Sequence, residues 1–137
     1  MSYWLMKSEP SAYGWDDLVK DKRTSWSGVR NFQASNNLKA MKVGDRAFFY
    51  HSNEGLAVVG IMEVAKTYYP DPSDKTQRFG MVDVKPVMPL TTPVTMAEIK
   101  KTAKLKDMVL VKNSRLSVQP VTAEEWKLVC QMGGVKG

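Results

Sequence analysis

A chain of 137 residues, 43% hydrophobic and 25% charged, can bury one core without staples, and no apolar run approaches the roughly 20 residues that a membrane helix needs. Its 20 Lys and Arg against 14 Asp and Glu leave a formal charge of +6, which favours an anionic partner such as nucleic acid. One cysteine and one histidine exclude an internal disulfide and an ordinary zinc site, so neither metal nor cofactor is expected.

The first seven residues lack the basic region and apolar core of a signal peptide. One domain spanning 1–137 is expected, a monomer in the cytoplasm, or in the nucleus of a eukaryote. Residues 3–8 then read as a strand stopped by Pro10, with Lys7, Ser8 and Glu9 at its end. Trp15, Leu18 and Val19 share one face of a short helix begun after Gly14, with Asp16 and Asp17 in the first turn, where the helix dipole favours acids. Trp4, Trp15 and Trp126 each fit a periodic apolar face and belong in the core. Trp26 instead stands among Ser25, Ser27 and Gly28, which leaves its indole available to a ligand.

Asn31 is a plausible N-cap for a helix whose Ala34, Leu38 and Met41 make a narrow apolar stripe. Gly44-Asp45 turns the chain into an apolar run, 47–50, that ends at His51 and Ser52. Residues 57–64 form the next strand, and Gly60 within it suggests a bulge or a close backbone approach. Residues 68–78 carry two prolines and many turn formers, so they read as a long surface loop; its Tyr68, Tyr69, Lys75 and Arg78 suit a contact along a nucleic-acid strand. A strand follows over 79–89, where Pro86 and Pro89 mark its end or an edge.

Thr95 with Glu98 and Thr122 with Glu125 have capping-box spacing, which predicts helices near 96–102 and 123–132, the second closed by Gly133-Gly134. Residues 107–111 are apolar but of unassigned type, and 118–121 read as a strand. No phosphate-cradling glycine motif appears. Cys130 sits mid-helix among core residues, which makes it a poor nucleophile for His51 to activate.

Trp26-Ser-Gly-Val-Arg-Asn-Phe-Gln-Ala, then Asn37-Leu, Gly44-Asp45 and Phe48-Phe-Tyr-His-Ser52 resemble the signature of the EVE domain family. Tyr3-Trp-Leu-Met-Lys-Ser-Glu-Pro10 and Ser114-Arg-Leu-Ser-Val118 extend the resemblance over nearly the whole chain. It implies an α+β fold, a PUA-like β-barrel of five to six mixed strands with short helices around it, distantly related to the YTH domains that read methylated adenine. It also implies a non-catalytic module that reads a modified base, chiefly modified cytosine, in DNA or RNA.

Such a pocket stacks an unstacked base on an aromatic plane and pairs its polar edge. Trp26 would supply the plane; Ser8, Ser27, Asn31, His51 and Ser52 would supply donors and acceptors; Arg115 could fork onto a phosphate or a base edge. With the positions that the family resemblance covers, the candidate ligand-binding residues are Lys7, Ser8, Trp26, Ser27, Val29, Arg30, Asn31, Tyr50, His51, Ser52, Arg115, Leu116 and Ser117. Two alternatives remain at this level. One is an amidohydrolase on modified nucleosides resembling some ASCH domains, using Lys7, Ser8 and Glu9 with Glu63, although neighbours on a strand point to opposite faces. The other is a small-molecule-binding domain.

Overall fold

Local sequence sets most of the element boundaries in the computed structural model, which describes residues 1–137. β1 (Tyr3–Ser8) stops ahead of Pro10, and α1 (Trp15–Asp21) starts after Gly14, whose N–H donates to Asp17 Oδ2 at 2.7 Å. β2 (Thr24–Ser25) is followed by α2 (Phe32–Ala40), where the Asn31 side chain accepts the Ala34 N–H at 2.9 Å. β3 (Arg46–His51), β4 (Ala57–Pro70) and β5 (Gly80–Thr95) form an antiparallel meander. Thr95 and Thr122 open α3 (Met96–Lys101) and α5 (Ala123–Met132) with the capping boxes that their spacing predicts. Between these two helices lie the one-turn α4 (Val109–Lys112), in the segment whose type the sequence leaves open, and β6 (Val118–Val121).

The strands make one six-stranded mixed sheet in the order β2-β5-β4-β3-β1-β6, with β1 parallel to β3 and antiparallel to β6. The α+β class and the mixed strands agree with expectation. The sheet is open, however, because β2 and β6 occupy opposite edges, so "barrel" describes it only loosely.

Alternation along the strands divides the core in two. On one face Trp4, Met6, Phe49, Met62 and Val84 pack against Trp15 and Leu18 of α1 and Leu38 of α2. On the other, Leu5, Phe48, Tyr50 and Ile61 pack against Ile99 of α3, Leu110 of α4 and Val129 of α5. Trp126 is the centrepiece of this second face, stacked on Phe48 at 3.9 Å and on Tyr3 at 4.5 Å between ring centroids. Trp4 is likewise buried, its indole N–H donating to Asp45 Oδ2 at 3.1 Å.

Gly60 serves both purposes that its place in the strand suggests. The register of β4 slips between Val58 and Gly60. A Cβ on Gly60 would stand 2.5 Å from the Trp15 ring, so α1 can lie this close only over a bare backbone.

Two boundaries move. The loop before β5 covers 71–79 rather than 68–78, because Tyr68 and Tyr69 belong to β4, which runs on to Pro70. Its tyrosines are engaged within the fold: Tyr68 Oη lies 3.3 Å from Ser35 Oγ, and Tyr69 Oη donates to Asp83 Oδ1 at 2.5 Å, with Lys66 Nζ 4.0 Å from the Tyr69 ring centroid. β5 continues past Pro86 and Pro89 to Thr95, so of the two readings these prolines mark an edge and not the end: β2 pairs with β5 only at Asp83 and Val84 and leaves the rest of that side uncovered.

Candidate functional site

The end of β1, the turn before α1 and the strand β2 surround a hollow of about 240 Å³, lined by Lys7, Ser8, Tyr13, Thr24, Ser25, Trp26 and Ser27. Its walls are held by their own hydrogen bonds. Ser8 Oγ donates to the Tyr13 carbonyl at 2.6 Å, tying the turn to β1, and Tyr13 Oη donates to Asp21 Oδ2 at 2.8 Å. Burial, aided by the charges of Asp21 and Asp17, pushes the Tyr13 phenol above its ordinary value, so it stays a neutral donor. On the opposite wall Ser25 Oγ lies 3.0 Å from Tyr69 Oη. Asp83 accepts from Tyr69 and also from Arg23 Nη2 at 3.0 Å. Burial opposes ionisation of Asp83, yet these hydrogen bonds outweigh it and hold the carboxyl below its usual range.

Trp26 has a core slot after all. Its N–H donates to the Val82 carbonyl at 2.7 Å, and its ring stands edge-on to Phe49, 5.5 Å between centroids. Only 8% of the residue stays exposed, although it is among the residues that line the hollow. The slot cannot be read from the neighbours of Trp26, because Phe49 reaches it from β3.

The loop beyond Trp26 is clamped from behind. Gly28 takes a positive φ of 83° that a side chain would resist, and its N–H donates to Asp71 Oδ2 at 2.8 Å. Arg30 donates to the same oxygen at 3.3 Å, to the Val29 carbonyl at 3.0 Å and to Ser73 Oγ at 2.9 Å, while Val29 is buried. Asp71 is wholly enclosed; burial opposes its charge, but hydrogen bonds from Ser73, Gly28 and Arg30 keep it ionised below the usual range.

Of the candidate residues, Lys7, Ser8, Trp26 and Ser27 meet at this hollow, and the rest lie off its wall. Lys7 Nζ donates to the Ser114 carbonyl at 2.5 Å and stands 5.8 Å from the Tyr50 ring, and burial lowers its pKa. The Lys7 N–H donates to the Ser117 carbonyl at 2.9 Å, so β1 carries the 114–117 segment, with Arg115 exposed and Leu116 in the core. Tyr50 is buried on the second face and its hydroxyl has no partner. Asn31 caps α2. Ser52 donates its N–H to the Ser8 carbonyl at 2.9 Å. His51 lines a separate hollow with Gly14, Trp15 and Asp16, and its Nε2 accepts the Trp15 N–H at 3.1 Å.

Tyr13, Thr24 and Ser25 are wall residues that sequence reasoning missed. An aromatic residue in a polar turn was the signal that singled out Trp26, and Tyr13 between Ala12 and Gly14 carries it equally.

Lys7, Ser8 and Glu63 do not come together as the amidohydrolase alternative requires. Lys7 and Ser8 bond to different parts of the fold, and Glu63 pairs with Lys85 at 3.3 Å. Register aligns Lys7 with Tyr50, but Glu63 with Arg46 and Tyr3, four residues or about 13 Å down the sheet. Cys130 lies on the second face, its thiol pushed up to about 11 by burial, away from His51. No three His, Cys, Asp or Glu side chains are grouped to hold a metal, and no helix is long and apolar enough to cross a membrane.

Comparison with known proteins places this geometry. The EVE domain family model matches residues 2–132. Thymocyte nuclear protein 1 from Homo sapiens is 38% identical over 165 aligned positions, covering 96% of this chain and 73% of that protein. Among solved structures, Rpa0253 from Rhodopseudomonas palustris superposes with a TM-score of 0.93 at 56% identity, covering 98% of this chain and 94% of that one. Human THYN1 protein in complex with 5-methylcytosine containing DNA gives 0.90 at 37% identity, with each chain covered completely. The YTH domain of the Zygosaccharomyces rouxii MRB1 protein, in complex with N6-methyladenosine RNA, gives 0.62 at 18% identity over 96% of this chain and 86% of that one, a likeness of fold alone. The chain belongs to the EVE domain family.

Proposed function

We propose that this EVE domain binds nucleic acid and reads one modified base, most simply a modified cytosine, held out of its stack in the hollow between Tyr13 and Trp26, without altering it. The observation that carries the reading is the hollow itself: Tyr13 and Trp26 with Lys7 and the hydroxyls of Ser8, Thr24, Ser25 and Ser27 around about 240 Å³. That is below the usual span of about 300–1,000 Å³ for small-molecule sites, and suits a single base better than a whole cofactor. The human relative solved with 5-methylcytosine containing DNA supports it, as does the charge of +6.

Unstacking a base costs a few kcal/mol, and stacking on an aromatic wall returns roughly 1–3. The hydrogen bonds already made by Ser8, Ser25 and Tyr13 keep that wall in place before the base arrives, so little ordering is left to binding. Ser27 stands exposed at the rim, where its hydroxyl can meet the base edge. Lys7 fixes the neighbouring 114–117 segment, whose exposed Arg115 would contact the strand on either side of the base. A single domain over residues 1–137, acting as a monomer in the cytoplasm or nucleus, suffices for this role.

The test is an affinity series on oligonucleotides that differ only in one cytosine modification, at fixed salt. The protein should prefer one modified strand. Tyr13→Ala should weaken that strand by about tenfold or more, a loss larger than the modest drop in thermal stability expected from removing a half-buried ring that packs on the first core. Trp26→Phe, which keeps a ring in the core, should narrow the margin between modified and plain cytosine. Equal affinity for every strand, unmoved by either substitution, refutes the reading.

A further inference from the structure

Phe32, the first residue of α2, is 61% exposed, the most exposed aromatic side chain of the fold. Its ring lies against that of Phe79, with centroids 4.9 Å apart and planes tilted by 36°, and the Arg30 guanidinium stands 5.9 Å from the Phe79 centroid. No local device asks for an aromatic residue here. Asn31 caps the helix by itself, and the positions that a hydrophobic staple would use hold Arg30 and Ser35.

The charges round this pair are sorted by sign. In the turn over 71–79 the two acids point inward: Asp71 is 3% and Asp74 7% exposed. Asp74 accepts from the Thr76 hydroxyl and from the N–H groups of Phe79, Thr76 and Arg78, which together hold its carboxyl at about 2. Lys75 and Arg78 face outward, and the Arg30 side chain is 40% exposed. The outer surface is therefore aromatic and cationic, while its two acids stay ionised but are turned inward and hydrogen-bonded. It also adjoins the hollow, since Gly28, next to rim residue Ser27, and Arg30 donate to one oxygen of Asp71. From Ser27 to Phe32 the chain can span at most about 17 Å.

We infer that Phe32 and Phe79, with Arg30, Lys75 and Arg78 round them, form a second contact that stacks a nucleotide flanking the modified base and holds its phosphate. The inference rests on the base-reading role of the hollow and makes the ligand a strand rather than a lone nucleoside. Two rings ringed by cations match a base and its phosphate. Protein interfaces are also rich in aromatic residues and Arg but poor in Lys, so Lys75 and the net charge of +6 favour the strand.

The experiment compares wild type, Phe32→Ala and Phe32→Tyr on three ligands at fixed salt: an oligonucleotide with one modified cytosine, the same strand with abasic flanks, and the free modified nucleoside. Phe32→Ala should lose about 5- to 100-fold on the full strand, Phe32→Tyr should restore most of it, and abasic flanks should erase the difference. Nucleoside binding should not change. Unchanged strand affinity in Phe32→Ala, with Tyr13→Ala still impaired, overturns the second contact and leaves the hollow standing. An equal loss on the nucleoside overturns it too, because Phe32 would then act through the fold, as does self-association abolished by Phe32→Ala without effect on the strand. If Tyr13→Ala is also silent, the hollow fails with it.

Discussion

His51 accepts the Trp15 N–H at the start of α1, a bond that only an unprotonated Nε2 can make. Burial lowers the pKa of the ring, against a smaller opposing pull from Asp16. With the folded-state value below the ordinary 6.5, the fold prefers the neutral ring. That contribution is complete above 6.5 and drains away as the pH falls through the folded value. No other histidine titrates in this window. Urea unfolding should therefore show stability level from about pH 8 to 7 and falling from about 6.5 towards 5. His51→Gln, whose amide oxygen can still accept, should flatten the fall, and equal slopes in both proteins would show that the bond does not matter. The residue type was legible and its partner was not, since Trp15 and His51 meet only when α1 docks on β3. Trp26 has the same lesson in reverse: a ring without a local slot finds one through Phe49, while the residue still lines the hollow.

Elements whose ends are set by neighbouring residues were readable in advance. The capping boxes of α3 and α5, the Asn31 cap of α2 and the start of α1 all follow from side chains within a turn of the boundary they fix. β4 and β5 were not readable to their full length, because their extent depends on each other and on where β2 ends. The turn between them is a clamp built on Asp71, and this gives a prediction at the level of the element. Asp71→Ala leaves the Gly28 and Ser73 N–H groups without their partner and should cost about 1–3 kcal/mol. Arg30→Ala removes its bonds to Asp71, the Val29 carbonyl and Ser73 Oγ but leaves the Gly28 and Ser73 N–H groups on Asp71, and should cost less than Asp71→Ala. Chemical denaturation reads both, and a larger cost for Arg30→Ala would place the anchor on the wrong side chain.

For the whole molecule, the positive charge is spread over two unlike surfaces. Lys100 and Lys101 of α3, with Lys104 and Lys106 after it, belong to the layer that covers the second face of the sheet. The hollow is built from β1, the turn before α1 and β2, with Trp26 packed into the first face; Lys7 lines it, Arg23 flanks its wall residue Thr24, and Lys75 and Arg78 lie exposed on the turn over 71–79 that Arg30 ties to the loop beyond Trp26. Composition could only sum these charges, whereas the topology of the sheet separates them. A strand that follows the hollow and the Phe32–Phe79 pair should touch the second group and not the first. Each phosphate contact contributes about −0.7 to the slope of log affinity against log salt for a single strand. Replacing Lys75 and Arg78 together by Ala should make that slope shallower by about 1.4, whereas Lys100→Ala with Lys101→Ala should leave it unchanged. Titrations of one modified oligonucleotide between about 50 and 200 mM salt distinguish the two. The opposite pattern would put the strand across the α3 layer, on the far side of the sheet from the indole that is meant to read it.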